Sequence, residues 1–79
     1  MTTILKDMMA GETGTVSGYV KGAPAYREKL LAMGLTKGTE ITVERIAPMG
    51  DPVEIKVRGF ALSLRKDEAS ALLVKRGNA

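Results

Sequence analysis

From Thr39 onward, apolar and polar residues alternate along the chain. Ile41, Val43 and Ala47 share one face of an extended backbone, and Val53, Ile55, Val57 followed by Phe60, Leu62, Leu64 repeat the period of two, which predicts half-buried antiparallel strands. Register follows by arithmetic. If Arg58-Gly59 is a two-residue turn, Val57 faces Phe60, Ile55 faces Leu62 and Val53 faces Leu64, so six apolar side chains fall on one side. Carried across the loop 48–52, the same reasoning pairs Ala47 with Val53 and Val43 with Val57, but it sends Arg45 inward and Ile46 outward. A bulge near Arg45 and Ile46, or an arginine snorkelling out at a barrel mouth, removes the conflict.

Upstream the pattern is less regular. Residues 15–20 read as a first strand after a turn at 11–14, with Gly18 marking a bulge or bend. Over 24–33 the period changes: Pro24 suits a first helical turn, and Tyr26, Leu30 and Met33 recur on one face, leaving Arg27, Glu28 and Lys29 toward water. Gly34 can take the left-handed conformation that closes the helix, with Leu35 folding back onto its last turn. Asp67 is placed to cap a short helix at 67–71, after which 72–74 suffices for a closing strand. Five or so short strands with one inserted helix predict a mostly β fold, a small closed or nearly closed antiparallel barrel that hides its strand edges.

Length and charge narrow the function. The 79 residues make one domain, 1–79, since so short a chain buries only about 60% of its unfolded surface. Apolar residues are 44% and charged residues 27% of the chain, ordinary values for a globular protein. Twelve basic and nine acidic residues are interleaved, so the net charge of +3 reads as a solvated surface more than a nucleic-acid stripe. No apolar run reaches bilayer length and the N-terminus lacks a signal-peptide layout, which gives a cytoplasmic expectation.

Histidine and cysteine are both absent, so the usual nucleophile and general-base pairs cannot be assembled, and no catalytic residue is expected. Ser17, Ser63 and Ser70 have no activating neighbour. Asp51 with Glu54, and Asp67 with Glu68, do not have the alternating ligands of a calcium loop, and scattered thioethers are poor transition-metal sites, so neither a metal site nor a cofactor is expected. The segment Lys21-Gly22-Ala23-Pro24 lacks the spacing of a phosphate loop. Arg58, Arg65, Lys66, Lys75 and Arg76 could gather at one end of the barrel as a phosphate-backbone contact, although aromatic residues to stack bases are few. Without tryptophan, an aromatic groove for proline-rich peptides is not expected.

An interaction module remains, and the motifs become informative together. Leu30-Leu31-Ala32-Met33-Gly34-Leu35-Thr36-Lys37-Gly38-Thr39, then Ala47-Pro48-Met49-Gly50-Asp51-Pro52, then Val57-Arg58-Gly59-Phe60-Ala61-Leu62-Ser63-Leu64-Arg65-Lys66-Asp67-Glu68-Ala69 resemble the FeoA family of ferrous-iron transport proteins over almost the whole chain. At Lys37 the family often has proline before the Gly-Thr turn, a departure worth no more than about 1 kcal/mol. The resemblance implies an SH3-like barrel, with its inserted helix at about 24–33 and a short helix near 67–71. It also implies a partner, FeoB, a membrane permease carrying a G-protein domain, which FeoA-like proteins support or regulate by contact.

The same barrel, by resemblance, forms the C-terminal domain of metal-dependent repressors. Because this chain starts at Met1 without a preceding DNA-binding domain, a stand-alone transport accessory is the expectation, with a nucleic-acid-associated barrel or a detached, self-associating repressor module as alternatives. Without metal ligands the protein would act by binding states of the permease differently. The expected contact surface joins the outer helix face, Arg27, Glu28 and Leu31, to the loop tip Pro48, Met49, Gly50 and Asp51, where exposed Met and Leu stand beside charges.

Overall fold

Among the described residues six strands form, β1 (Thr2–Ile4), β2 (Thr13–Tyr19), β3 (Glu40–Ile46), β4 (Val53–Val57), β5 (Phe60–Leu64) and β6 (Leu72–Arg76), with helices α1 (Pro24–Ala32) and α2 (Lys66–Ser70). In this computed structural model the described residues are 2–22 and 24–77, Pro24 by its backbone alone. All six strands join one antiparallel sheet in the order β1-β6-β2-β3-β4-β5. β2 to β5 run as a meander, and β6 then inserts between β1 and β2. A 3-10 turn, Leu5–Asp7, follows β1 and drives Leu5 into the core.

The β4–β5 hairpin has the expected register, Val57↔Phe60, Ile55↔Leu62 and Val53↔Leu64. Arg58 (φ 51°) and Gly59 (φ 84°) are both left-handed, as a two-residue turn matched to strand twist demands. The shared face is not shared burial, however. Leu64 is fully buried and Leu62 half-buried, but Phe60 is 71% exposed, because β5 ends the sheet and no further strand among the described residues lies beyond it to cover that ring.

Between β3 and β4 the register differs from the arithmetic. Ile41 faces Val57, Val43 faces Ile55, Arg45 faces Glu54 and Ile46 faces Val53, with the shift between Val43 and Arg45. Glu44 is therefore an extra residue. One inserted residue reverses which side chains face the core, so Ile46 turns in against the core cluster while Arg45 stays exposed. The bulge reading holds, one residue earlier than placed; the Ala47–Val53 and Val43–Val57 pairings and the snorkelling arginine do not.

β2 also bulges, between Val16↔Val74 and Gly18↔Leu73, leaving Ser17 as the extra residue. The Ser17 hydroxyl is buried without a hydrogen-bond partner among the described residues. β2 begins at Thr13, so Gly14 lies in the strand and not in the turn. A Cβ at Gly14 would sit 2.4 Å from Val74 Cγ1 and 2.8 Å from the Lys75 carbonyl oxygen. The close approach of two backbones explains that glycine. β1 was not foreseen: its three residues pair Thr2 with Lys75 and Ile4 with Leu73, too short a run to show a period.

α1 ends as read. Gly34 (φ 88°) donates its N–H to Leu31 O at 3.0 Å, and Leu35 donates to Leu30 O at 3.0 Å, the paired bonds of a Schellman cap. Its hydrophobic partners Leu30 and Leu35 are both fully buried, and Tyr26 and Met33 pack against the same cluster. That cluster includes Met8, Val16, Ile55, Leu64 and Leu72. α2 departs from expectation: it starts at Lys66, and Asp67 lies within its first turn, so Asp67 is not the cap.

Gly14→Ala is expected to destabilise the fold by about 1–3 kcal/mol through overpacking against β6. Urea denaturation checks this, and an unchanged midpoint would show that the β2–β6 contact has slack to give.

Candidate partner-binding site

The elements outside the sheet meet at the first turn of α2. Arg65 precedes that turn and has no acceptor to cap it. Instead Glu68, three residues on, turns Oε1 back to the Arg65 N–H at 2.8 Å, while Asp51 Oδ1, from the β3–β4 loop, accepts the Lys66 N–H at 3.1 Å. Glu68 also binds Lys29 of α1, Oε2 to Nζ 2.5 Å, with only 3% of its own side chain exposed against 57% for the lysine. Tyr26 OH makes a longer contact to Asp67 Oδ2, 3.4 Å. Loop, α1 and α2 are thus tied together through one short helix.

The sequence-predicted site residues divide between structural and free roles. Arg27 places its guanidinium 5.8 Å from the centre of the Tyr19 ring, and Tyr19 OH in turn donates to Leu35 O at 2.6 Å. Asp51 caps α2. Pro48 and Gly50 shape the loop: Gly50 (φ 79°) donates its N–H to Ala47 O at 2.7 Å, and Ala47 N–H reaches Pro52 O at 3.2 Å. That leaves Glu28 exposed on α1, Leu31 at 39% exposure, and Met49, the most exposed large apolar side chain of the described residues at 84%.

Glu68 was read only as part of an acidic helix start. Its spacing from Arg65 is that of a capping-box carboxylate, which could have revealed it; its partnership with Lys29, placed toward water by the helical period, had no local signal.

The five basic residues considered for a phosphate contact are not brought to one end. Arg58 sits at the β4–β5 turn, whereas Arg65 and Lys66 follow Leu64 at the opposite end of that ladder. Arg76 is engaged by Glu12, Nε to Oε2 3.3 Å. Among the described residues no three carboxylates approach closely enough to hold a metal ion, and no helix is long and apolar enough to cross a membrane.

Burial of the Glu68 carboxyl pushes its pKa up, but the hydrogen bond from Lys29, the Arg65 N–H and the two positive charges outweigh it, leaving the pKa below its ordinary value of 4.5. A carboxylate depressed in the folded state contributes stability above the unfolded-state pKa, and that stability is lost as pH falls through the folded value. Unfolding free energy is therefore expected to decline as pH falls below the ordinary glutamate value of 4.5, and Glu68→Gln to flatten part of that decline. Lys29→Met is expected to cost about 1 kcal/mol, since the lysine is more than half in water, and to raise the Glu68 pKa. Denaturation at several pH values with carboxyl chemical shifts reads both; an unshifted Glu68 in the variant would remove Lys29 as the cause.

A family model described as the FeoA domain matches residues 3–76. Among curated relatives, the "Fe(2+) transport protein A/Fe(2+) transporter FeoB fusion protein" of Porphyromonas gingivalis is 36% identical over 71 residues; the match covers 90% of this chain and 8% of that protein, so the chain spans only a small part of the relative. Among solved structures, the FeoA-like protein of Clostridium acetobutylicum superposes with TM-score 0.87 at 38% identity, over 99% of this chain and 90% of the other. A manganese-dependent transcriptional repressor superposes with TM-score 0.88 but 18% identity, covering 96% of this chain and 37% of its own, which is a likeness of fold alone. Motifs, sheet and matches agree: the chain belongs to the FeoA family.

Proposed function

We propose that this protein is a cytoplasmic accessory of ferrous-iron uptake that acts on a FeoB-type permease by direct contact, through the exposed face of α1 and the tip of the β3–β4 loop. The observation that carries the reading is the relative in which a FeoA part and a FeoB transporter are one chain. Tethering two parts holds them at an effective concentration of about millimolar, which favours even a weak, specific contact. The domain contributes that contact and not a metal centre, since imidazole and thiolate, the ligands ferrous iron would prefer, are missing from the sequence.

Leu31 and Met49 are the adaptable apolar points of this surface, with Glu28 beside Leu31 on the helix. Arg27 and Asp51 act behind them, holding Tyr19 and α2 and so fixing the backbone that presents the apolar pair. A partner that binds one state of the permease better than another shifts its equilibrium by that difference and no more.

Titration of the isotope-labelled protein with the GTP-binding region of a co-encoded permease, with and without nucleotide, is expected to move amides of α1 and residues 48–51 saturably. Leu31→Glu and Met49→Ser should each weaken binding about five- to tenfold, the range of a truncated interface contact, with thermal stability unchanged. If no amide moves in either nucleotide state, contact with that region is refuted.

A further inference from the structure

The methionines of the described residues differ widely in their access to water. Met8 is 2% exposed and Met33 is half-buried against the core cluster, whereas Met9 is 70% and Met49 84% exposed. An oxidant dissolved in water attacks through a sulfur lone pair, which a packed side chain does not present, so exposure sorts these residues into reachable and protected ones.

Met49 also stands where its side chain can change while the backbone stays as it is. Main-chain bonds close the loop around it, Gly50 N–H to Ala47 O at 2.7 Å and Ala47 N–H to Pro52 O at 3.2 Å, and Asp51 Oδ1 ties it to α2 through the Lys66 N–H at 3.1 Å. None of these bonds uses the Met49 side chain, and Met49 is not among the residues packed on the core cluster. Met8 is the opposite case, since an oxygen added to its sulfur would place an unpaired polar group in the core. Met9 shares the exposure of Met49 but belongs to another turn, where its N–H donates to Glu12 Oε1 at 2.6 Å, outside the surface assigned to the partner.

We propose that Met49 is a modification site, a thioether whose reversible oxidation by a hydroperoxide weakens the partner contact. With hydrogen peroxide, the sulfur donates a lone pair to one peroxide oxygen, a sulfur–oxygen bond forms, the O–O bond breaks and hydroxide departs. The proton of the sulfur-bound hydroxyl passes to that hydroxide, leaving sulfoxide and water; the sulfur is oxidised by two electrons and the peroxide reduced. The product is polar and chiral where the loop tip had its most exposed apolar group, and an oxygen held by water must be desolvated before the tip can dock. Sulfoxide reductases restore the thioether, which makes the change a switch. The inference rests on the permease reading and adds a regulation to it: the contact becomes sensitive to the oxidant that ferrous iron converts to hydroxide and hydroxyl radical.

Hydrogen peroxide added to the full chain is the probe, with fragmentation mass spectrometry locating the added oxygen. Met49 and Met9 should oxidise first and Met8 at least about tenfold more slowly, since it reacts only through local opening. The thermal midpoint should be unchanged at that stage. Titrated with the GTP-binding region of the permease, the chain oxidised at Met49 and Met9 should bind about five- to tenfold more weakly than the reduced chain, as a truncated contact does. The two sulfoxide reductases, one for each epimer, should restore the affinity. Met9→Leu should keep the whole loss on oxidation, and Met49→Leu, whatever its own affinity, should lose none. Oxidation of Met8 ahead of Met49, equal affinity of reduced and oxidised chains, or a loss that persists in Met49→Leu would each overturn the proposal. A reduced chain that does not bind at all overturns the permease contact itself and this regulation with it, and the reduced arm alone reads that result.

Discussion

Glu68 holds a negative charge where water barely reaches, and the elements outside the sheet are arranged around satisfying it. An ionised carboxylate in such a place must find charge or hydrogen bonds to replace its hydration. Here one oxygen takes the amide that opens α2 and the other takes the Lys29 ammonium of α1. Because Asp51 bonds the next amide of the same turn, the β3–β4 loop is drawn to that point as well. The orientation of α1 and the position of the loop tip therefore share one origin. Leu31 and Met49 therefore stand on a single frame, although the two residues are far apart in sequence.

Where local rules were strong, the fold was legible from residues alone. The Arg58-Gly59 turn carries its register for five residues on each side, since nothing interrupts the alternation. Gly34 and Leu35 announce the end of α1 through the chemistry of the cap. The misreadings share a cause, an extra residue or a missing period. Glu44 is invisible to a count that assumes strict alternation, and it alone moves Ile46 from water to the core. β1 is defined by its partner β6 and by nothing within its own three residues. Asp67 is a good cap by composition and was displaced because Glu68 and Asp51 already satisfy the amides before it.

Of the expected contact surface, exposure was legible in the sequence and the roles of its residues were not. Composition pointed to the outer helix face and the proline-flanked loop, and Glu28, Leu31 and Met49 are indeed exposed there. It gave no means to tell that Arg27 lies over Tyr19 or that Asp51 closes a helix, because both partnerships join distant segments. Phe60 shows the converse: alternation marks which face a residue takes, and only the position of its strand in the sheet says whether that face is covered.

The insertion of β6 between β1 and β2 also dictates how the molecule can be made. The strands β3 to β5 connect as successive hairpins and β2 joins β3 across α1, so these four can associate as each becomes available, but β1 has no neighbour until β6 arrives. The contact of Thr2 with Lys75 spans nearly the whole described chain, the kind of distant pairing that slows folding. On a ribosome, which releases residues from the N-terminus onward, the nascent chain holds the apolar side chains of its meander without Leu72 and Val74 to complete their packing. The core can close only after translation has passed β6, so assembly of this sheet is timed by its final strand.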